Sequence, residues 1–210
     1  MRKMSKRLSG ILRSISTNPL LLNAGCKETN KIIKKGEGNP QNQESAVAKL
    51  LIDNGFKFIE KNKKGETGVD VSKEPLWFEF QPNGTQRSPD FIVSENGREF
   101  SFDLKSTKGN KFKWNDGFFS KVPNMIYIIN YVVDKTPKIY IGLGEYSSTE
   151  EDRIVWEHIR EKIKELHELE MVKNTKFLKI VVRQGSGGCC KQFTPEFTKK
   201  NFDAVMKFLE

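Results

Sequence analysis

The stretch PDFIVSENGREFSFDLKS, Pro89–Ser106, decides how the middle of this chain folds. Residues 90–94 and 99–106 both have strand-like composition, and Asn96-Gly97 lies between them. An Asn-Gly pair between two such runs is a strong signal for a tight β-hairpin turn. We therefore predict two antiparallel strands that are joined at this turn.

The second strand of the hairpin has an apolar face and a polar face, because alternate side chains of a strand point in opposite directions. Its core-facing side chains are Phe100, Phe102 and Leu104. The opposite face carries Asp103 and Lys105 side by side. Asp90 begins the first strand of the hairpin, so we expect its carboxylate to approach that of Asp103.

Two neighbouring carboxylates repel each other unless a positive charge lies between them. Mg²⁺ takes oxygen ligands and is usually held by only one or two protein carboxylates. Asp90 and Asp103 suit it, and the backbone carbonyl of Leu104 could add an oxygen. Lys105 could then orient a water molecule and stabilise charge on a phosphate. The alternative is that Asp103 and Lys105 decorate a strand surface, with an effect of only a few tenths of a kcal/mol.

The rest of the chain mixes helical and strand patterns, without an internal repeat. A helix is predicted from the N-cap Asn39 to the breaker at Asn54-Gly55, and a long helix over 149–171 opens with a capping box at Ser148 and Glu151. A final helix is predicted over 195–210. Further strands are predicted at 76–80, 125–133, 138–143 and 176–182. This order indicates an α/β fold with a mixed sheet of about five or six strands flanked by helices.

The positive charge is concentrated at one end of the sequence. The chain has 210 residues and a net charge of +9, and residues 1–40 hold nine Lys or Arg against Glu28 and Glu37. We predict a basic, loosely structured arm over 1–38, with a short helix near LSGILRSI, and a single domain over 39–210. Such an arm favours a polyanion such as nucleic acid, then an anionic membrane surface. A solvated tail without a partner is the remaining interpretation.

Several classes of function are excluded by composition. No apolar run is long enough for a membrane span, and the apolar part of a lipoprotein-like start ending at Cys26 is interrupted by polar residues. The three cysteines include no CxxC pair, so a reducing, cytoplasmic setting without structural zinc is expected. The loop QGSGGCC lacks the ending of a P-loop, so no nucleotide cofactor is expected. His158 and His167 lie among charged residues and are predicted to be solvated.

Two short words in the sequence resemble a known nuclease motif. SPDF followed by FDLKS matches the PD-(D/E)xK pattern, with Pro89-Asp90 on one strand and Asp103-Leu104-Lys105 on the next. With the flanking words QPNGTQRSPDF and KSTKGNKFKWNDG, the chain resembles type II restriction endonucleases of the PD-(D/E)xK superfamily. The resemblance covers roughly residues 41–145, about half of the chain.

The resemblance implies a restriction-endonuclease-like sheet and Mg²⁺-dependent cleavage of double-stranded DNA at a short specific sequence, through attack by metal-activated water. Asp90 and Asp103 would hold the metal with the Leu104 carbonyl, and Lys105 would position the water. The superfamily commonly adds a glutamate from the preceding helix, and Glu44 matches it. Glu44 is equally explained as a first-turn acid that the helix dipole favours.

The resemblance also implies contacts with DNA from loops around the motif. Asn83, Gln86 and Arg87 are candidates for base edges, and Lys108, Lys111 and Lys113 for phosphates. Trp114 and Asn115 are candidates for a groove edge. Each is alternatively a solvated loop residue, and Trp114 a core residue. Most enzymes of this type act as homodimers. The rival functions are a DNA repair or junction-resolving nuclease of the same fold and a non-catalytic DNA-binding module.

Overall fold

The computed structural model describes residues 5–23, 25–33, 42–60, 70–83, 89–106, 124–144, 150–169 and 193–210. These residues contain five α-helices, which are α1 Lys6–Thr17, α2 Lys27–Ile33, α3 Asn42–Asp53, α4 Glu150–Glu168 and α5 Pro195–Leu209. They also contain six strands, which are β1 Lys57–Phe58, β2 Leu76–Phe80, β3 Phe91–Glu95, β4 Arg98–Ser106, β5 Ile126–Val133 and β6 Thr136–Leu143.

The six strands form one open sheet in the order β1-β2-β3-β4-β5-β6. β1 pairs in parallel with β2, and β4 pairs in parallel with β5. The other neighbours are antiparallel. The chain is therefore α/β with a mixed sheet flanked by helices, and the predicted fold class is confirmed.

The predicted hairpin is present, and its turn has the geometry that Asn-Gly favours. Asn96 and Gly97 have φ values of 55° and 78°, as both central residues of a type I′ turn require. Phe91 pairs with Phe102 across the two strands. A second turn of the same kind, at Asp134 and Lys135 with φ values of 48° and 62°, joins β5 to β6. The sequence analysis did not identify this second turn.

The main hydrophobic core lies between one face of the sheet and the helices α1, α3 and α5. β4 contributes the predicted apolar face, and its members are Phe100, Phe102 and Leu104. The opposite face of β5 and β6 has a smaller aromatic cluster, in which the rings of Tyr140 and Phe193 stack with centroids 4.3 Å apart. Both faces of the strand pair β5–β6 are thus covered by apolar side chains.

The N-terminal segment is packed more firmly than the sequence predicted. The predicted short helix is confirmed as α1, but the apolar side of this helix lies in the main core through Leu8, Ile11, Leu12 and Ile15. The Glu95 carboxylate accepts hydrogen bonds from the backbone N–H of Arg7 at 3.1 Å and of Leu8 at 3.0 Å. The expectation of a loosely structured arm is therefore wrong for the described residues between 5 and 33. Four well-spaced apolar side chains on α1 fill space that the sheet leaves open.

The remaining predictions of elements are confirmed where they fall on described residues. The helix predicted up to Asn54-Gly55 is α3, and the last two helices are α4 and α5. Strand β1, of two residues, was too short to show a pattern. Four predicted features lie outside the described residues. They are the N-cap at Asn39, Ser148 of the capping box, the strand at 176–182 and the loop at 184–190. Across the described ranges, no helix combines the length and apolar character needed to cross a membrane.

Candidate functional site

The Asp90 carboxylate is held at the end of β3 by the backbone of the next strand. The backbone N–H of Leu104 donates to Asp90 Oδ2 at 2.6 Å. The Asp90 backbone N–H donates to the Phe102 carbonyl at 2.8 Å, and its own carbonyl accepts from the Gln81 N–H at 2.7 Å. The backbone carbonyl of Asp90 thus bonds to Gln81, just after β2. The side chain of Asp90 accepts the next hydrogen bond from β4.

The same arrangement directs the backbone of Leu104 toward Asp90. In an antiparallel ladder, the N–H and C=O of one residue point to the same neighbouring strand. Because the Leu104 N–H faces Asp90, the Leu104 carbonyl lies on the same side of β4. The role of that carbonyl as a metal ligand requires it to lie on this side of β4, and the role itself stays a prediction.

Asp103 and Lys105 form an ion pair on the polar face of β4, as the alternation of the strand predicted. Lys105 Nζ lies 2.6 Å from Asp103 Oδ2. The side chain of Asp103 is 2% exposed and that of Lys105 is 22% exposed. A buried carboxylate is costly without a partner, and this ammonium group supplies one. Solvent reaches the site on the lysine side.

The strand register brings the two aspartates to one end of the sheet. Phe91 is paired with Phe102, so the preceding residue, Asp90, comes opposite Asp103. The backbone contact of Asp90 with Leu104 fixes this placement. Asp103 in turn pairs with Tyr127 of β5, which is also buried. The predicted approach of Asp90 to Asp103 is thus built by the hairpin itself.

The electrostatic environment makes Asp90 unusually easy to protonate. Burial raises the pKa of the Asp90 carboxyl, and the negative charges of Asp103 and Glu44 raise it further, to about 7. The hydrogen bond from Leu104 and the charge of Lys105 act in the opposite direction and lower this pKa. At this carboxyl, burial and the two neighbouring carboxylates therefore outweigh the hydrogen bond and the single cation.

Glu44 lies in the first turn of α3 and is only 7% exposed. Its charge contributes to the raised pKa of Asp90, so the two carboxylates are electrostatic neighbours. The first-turn position also fits the favourable effect of the helix dipole on an acid. Both sequence interpretations of Glu44 thus remain compatible with its position.

The donor set can be compared with the requirements of Mg²⁺. Among the described residues, no group of three His, Cys, Asp or Glu side chains is arranged to hold a metal ion. Mg²⁺ does not require such a group, since one or two carboxylates commonly suffice and water or substrate supplies the other ligands. Asp90, Asp103 and the Leu104 carbonyl fit this pattern. After burial, the charges of Asp103 and Glu44 also raise the pKa of Asp90, and a divalent cation would offset that repulsion.

Few of the predicted DNA contacts can be placed. Asn83 is described, and it lies exposed shortly after β2 on the chain leading to Asp90. The other seven lie outside the described residues, and they are Gln86, Arg87, Lys108, Lys111, Lys113, Trp114 and Asn115. His158 is exposed on α4, as predicted, whereas His167 is only partly exposed.

Two residues of the site were missed by the sequence analysis. Gln81 has a φ of 47° and donates its N–H to the Asp90 carbonyl, which helps to fix the end of β3. Tyr127 lies beside Asp103 through the parallel pairing of β4 and β5. Neither residue has a sequence signal of its own, because both roles depend on how strands distant in sequence come together.

Comparison of the chain with protein-family models, with curated proteins and with solved structures gives no match. The function of the chain is therefore inferred from the chemistry of the site and from the motif that it contains.

Proposed function

We propose that this protein is a Mg²⁺-dependent endonuclease of the type II restriction class, which cleaves double-stranded DNA at a short specific sequence. The observation that carries the proposal is the joint placement of three side chains. Asp90 is fixed on the Leu104 amide, and Asp103 is paired with Lys105 on the adjacent strand. An Asp–Lys pair without a function on a strand surface is expected to be exposed. Here Asp103 is buried beside the second carboxyl of Asp90.

The proposed roles follow from position and charge. Asp90, Asp103 and the Leu104 carbonyl would hold Mg²⁺, and Glu44 would support the cluster from α3. When bound, the ion would polarise the phosphate and lower the pKa of a water molecule. Lys105 would orient the attacking water and stabilise the negative charge that grows on the phosphate. The water oxygen would bond to phosphorus and the 3′ oxygen would leave, giving 5′-phosphate and 3′-hydroxyl ends.

The experiment that tests this proposal is digestion of plasmid and phage DNA by the full chain, with Mg²⁺ and with EDTA. The proposal predicts discrete fragments that require Mg²⁺, and mapping of their ends would give the recognition sequence. Unmethylated and methylated DNA should be run in parallel, because base methylation can hide a recognition site. Absence of cleavage on both kinds of DNA would contradict the proposal.

The two rival functions give different results in the same experiment. A repair or junction-resolving nuclease would nick or smear DNA, or would cut branched substrates irrespective of sequence. A non-catalytic module would bind DNA without cutting it. Titration calorimetry with Mg²⁺ or Mn²⁺ separates this module from either nuclease, since the module would give no heat of metal binding with or without DNA.

A homodimer belongs to the proposal, because a two-fold symmetric enzyme matches a palindromic site. The feature that supports it is the apolar stripe of α4, where Val155 and Ile159 are 59% and 37% exposed and Leu166 is 44% exposed. An amphipathic helix with its apolar side in solvent is typical of a surface that meets a partner. Light scattering on the purified chain would give the oligomeric state directly.

A further inference from the structure

A cavity of about 560 Å³ lies where the last helix passes the edge of the sheet. Among the described strands, β6 pairs only with β5, so its other side forms an edge of the sheet. Near the start of α5, Phe197 stacks on Tyr140 in the aromatic cluster on one face of the sheet. Near the end of α5, Val205 and Leu209 lie in the main core on the opposite face. The helix α5 therefore crosses the edge at β6, and the cavity lies beside this crossing.

The walls of the cavity are mainly apolar. β5 contributes Tyr131 and Val133, β6 contributes Ile139 and Ile141, and α5 contributes Phe202. A cavity of about 300–1,000 Å³ with apolar walls and a few polar groups is the usual form of a small-molecule site. None of the residues proposed to act at the candidate nuclease site belongs to its lining. The cavity is therefore a separate candidate site, and it suits a ligand with an apolar body.

Two lysines supply the charge at this cavity. Lys138 and Lys199 are both exposed, and the described lining to which they belong includes no acidic side chain. The Nζ of Lys199 lies 2.6 Å from Asp203 Oδ2, so its charge is already balanced. Within the described part of the chain, no carboxylate forms an ion pair with Lys138. An anionic group of a ligand would therefore be attracted to Lys138.

The strand register places Lys138 beside the apolar wall. Lys138 pairs with Tyr131 across β5 and β6, and the side chains of directly opposite residues lie on the same face. Val133 is two residues after Tyr131 and shares that face. A lysine can lay its apolar stem along such a surface while its ammonium group stays in water. A ligand with its charged end at Lys138 can therefore rest its apolar body against Tyr131 and Val133.

We propose that this cavity binds a small amphipathic monoanion, of which a straight-chain carboxylate is the simplest form. The apolar chain lies between β5, β6 and α5, and the carboxylate lies beside Lys138. A single unpaired ammonium group matches a ligand with one negative charge. Burial of the chain supplies most of the affinity, because an exposed ion pair contributes little. The inference goes beyond the proposed nuclease function and does not depend on it.

Titration calorimetry of the full chain with hexanoate, octanoate and decanoate tests the apolar part of the inference. Affinity is expected to rise by about fourfold for each CH₂ group that enters the cavity, which is the effect of burying that group. Octylammonium has an apolar chain of the same length and the opposite charge, so it tests the role of charge. We expect it to bind at least about tenfold more weakly than octanoate.

Two variants and a control locate the ligand. Lys138→Glu replaces an attraction by a repulsion, and it should weaken octanoate binding about tenfold. Val133→Trp puts a large side chain into the cavity and should weaken octanoate binding at least as much. The control Lys200→Glu changes an exposed lysine of α5 that is not part of the lining, and it should bind octanoate as the wild type does. Thermal unfolding of each variant confirms that it is folded.

Three results would overturn the inference. They are no heat of binding with any of the three acids, equal affinity for octanoate and octylammonium, and unchanged octanoate affinity in folded Lys138→Glu. If Val133→Trp does not fold, the series of chain lengths and Lys138→Glu decide the matter. DNA cleavage by the wild type is measured separately, so a failure to bind these acids leaves the nuclease proposal intact.

Discussion

At the scale of single residues, the site depends on one carboxyl group whose charge is disfavoured in the folded chain. Asp90 is partly buried near Asp103 and Glu44, and its pKa is raised to about 7. A carboxyl with a raised pKa contributes stability while it is neutral. That contribution is complete below the ordinary pKa of about 3.8 and is lost as the pH rises through 7. Above pH 7, the folded chain carries a partly buried charge on Asp90 that costs free energy.

The variant Asp90→Asn tests this directly, because it keeps an oxygen that can accept from the Leu104 N–H and removes the charge. We expect it to be more stable than the wild type at pH 8, by up to about 4 kcal/mol for a shift of about three pH units. The difference should shrink steadily as the pH falls toward 4. Urea denaturation in EDTA at several pH values measures it. A variant that is less stable than the wild type at pH 8 would show that the charged form is not penalised.

Single residues also show what the sequence could reveal about the site. The pairing of Asp103 with Lys105 was predictable, because two residues at positions i and i+2 of a strand must share a face. The hydrogen bond of Asp90 to Leu104 was not predictable, because it depends on where β3 begins to pair. Gln81, which donates its N–H to the Asp90 carbonyl there, has a left-handed conformation that no local pattern indicated.

At the scale of elements, the attachment of α1 to the hairpin is the least expected feature. Both Glu95 oxygens accept backbone N–H groups from the first turn of α1, and Glu95 itself is buried at the tip of the β3–β4 hairpin. The first N–H groups of a helix have no partner within the helix. A carboxylate distant in sequence therefore provides the cap that Ser5, which makes no side-chain cap bond, does not.

We expect Glu95→Gln to destabilise the chain by about 1–3 kcal/mol. Glutamine replaces one of the two accepting oxygens with an NH₂ group, which leaves one buried N–H of α1 without an acceptor. The control is Glu99→Gln, an exposed residue of β4 four positions later in the chain, which should change stability by less than about 0.5 kcal/mol. Denaturant unfolding at neutral pH compares the two. Equal effects would mean that Glu95 does not hold α1.

Elements were predictable where their patterns were local. Composition and the residues at the element boundaries predict the strand Leu76–Phe80 and the helix Pro195–Leu209. The pair Asn96-Gly97 predicts the β3–β4 hairpin. The packing of α1 could not be deduced in the same way. The spacing of its apolar residues predicts a helix. Only the assembled sheet shows the apolar surface against which this helix packs.

At the scale of the whole molecule, the basic N-terminal segment combines surface charge with core packing, and truncation would remove both. The charged side chains of its described residues, Lys6, Arg7 and Arg13, are exposed, while apolar residues of the same helix belong to the main core. Deleting residues 1–23 would remove Leu8, Leu12, Ile15 and further core side chains together. Each lost large apolar side chain in a core typically costs about 2–5 kcal/mol, which is comparable with the stability of a whole domain.

We therefore expect the chain lacking residues 1–23 to be unfolded or aggregated, rather than a folded protein with weaker DNA binding. Circular dichroism and size-exclusion chromatography would show the loss of structure. The variant Lys6→Gln/Arg13→Gln removes two positive charges and changes only exposed side chains, so it should stay folded. A truncated chain that unfolds cooperatively at the wild-type temperature would restore the interpretation of this segment as an independent arm.

The proposed roles of Asp103 and Lys105 are tested by single-turnover cleavage of one substrate DNA by four proteins with saturating Mg²⁺. They are the wild type, Asp103→Asn, Lys105→Ala and the control Lys200→Ala, an exposed lysine on α5. If Asp103 and Lys105 act as proposed, each of their variants loses at least about 100-fold in rate and still binds DNA, while the control cuts at the wild-type rate. Wild-type cleavage that survives in Asp103→Asn or Lys105→Ala would contradict the account and place the activity elsewhere in the chain.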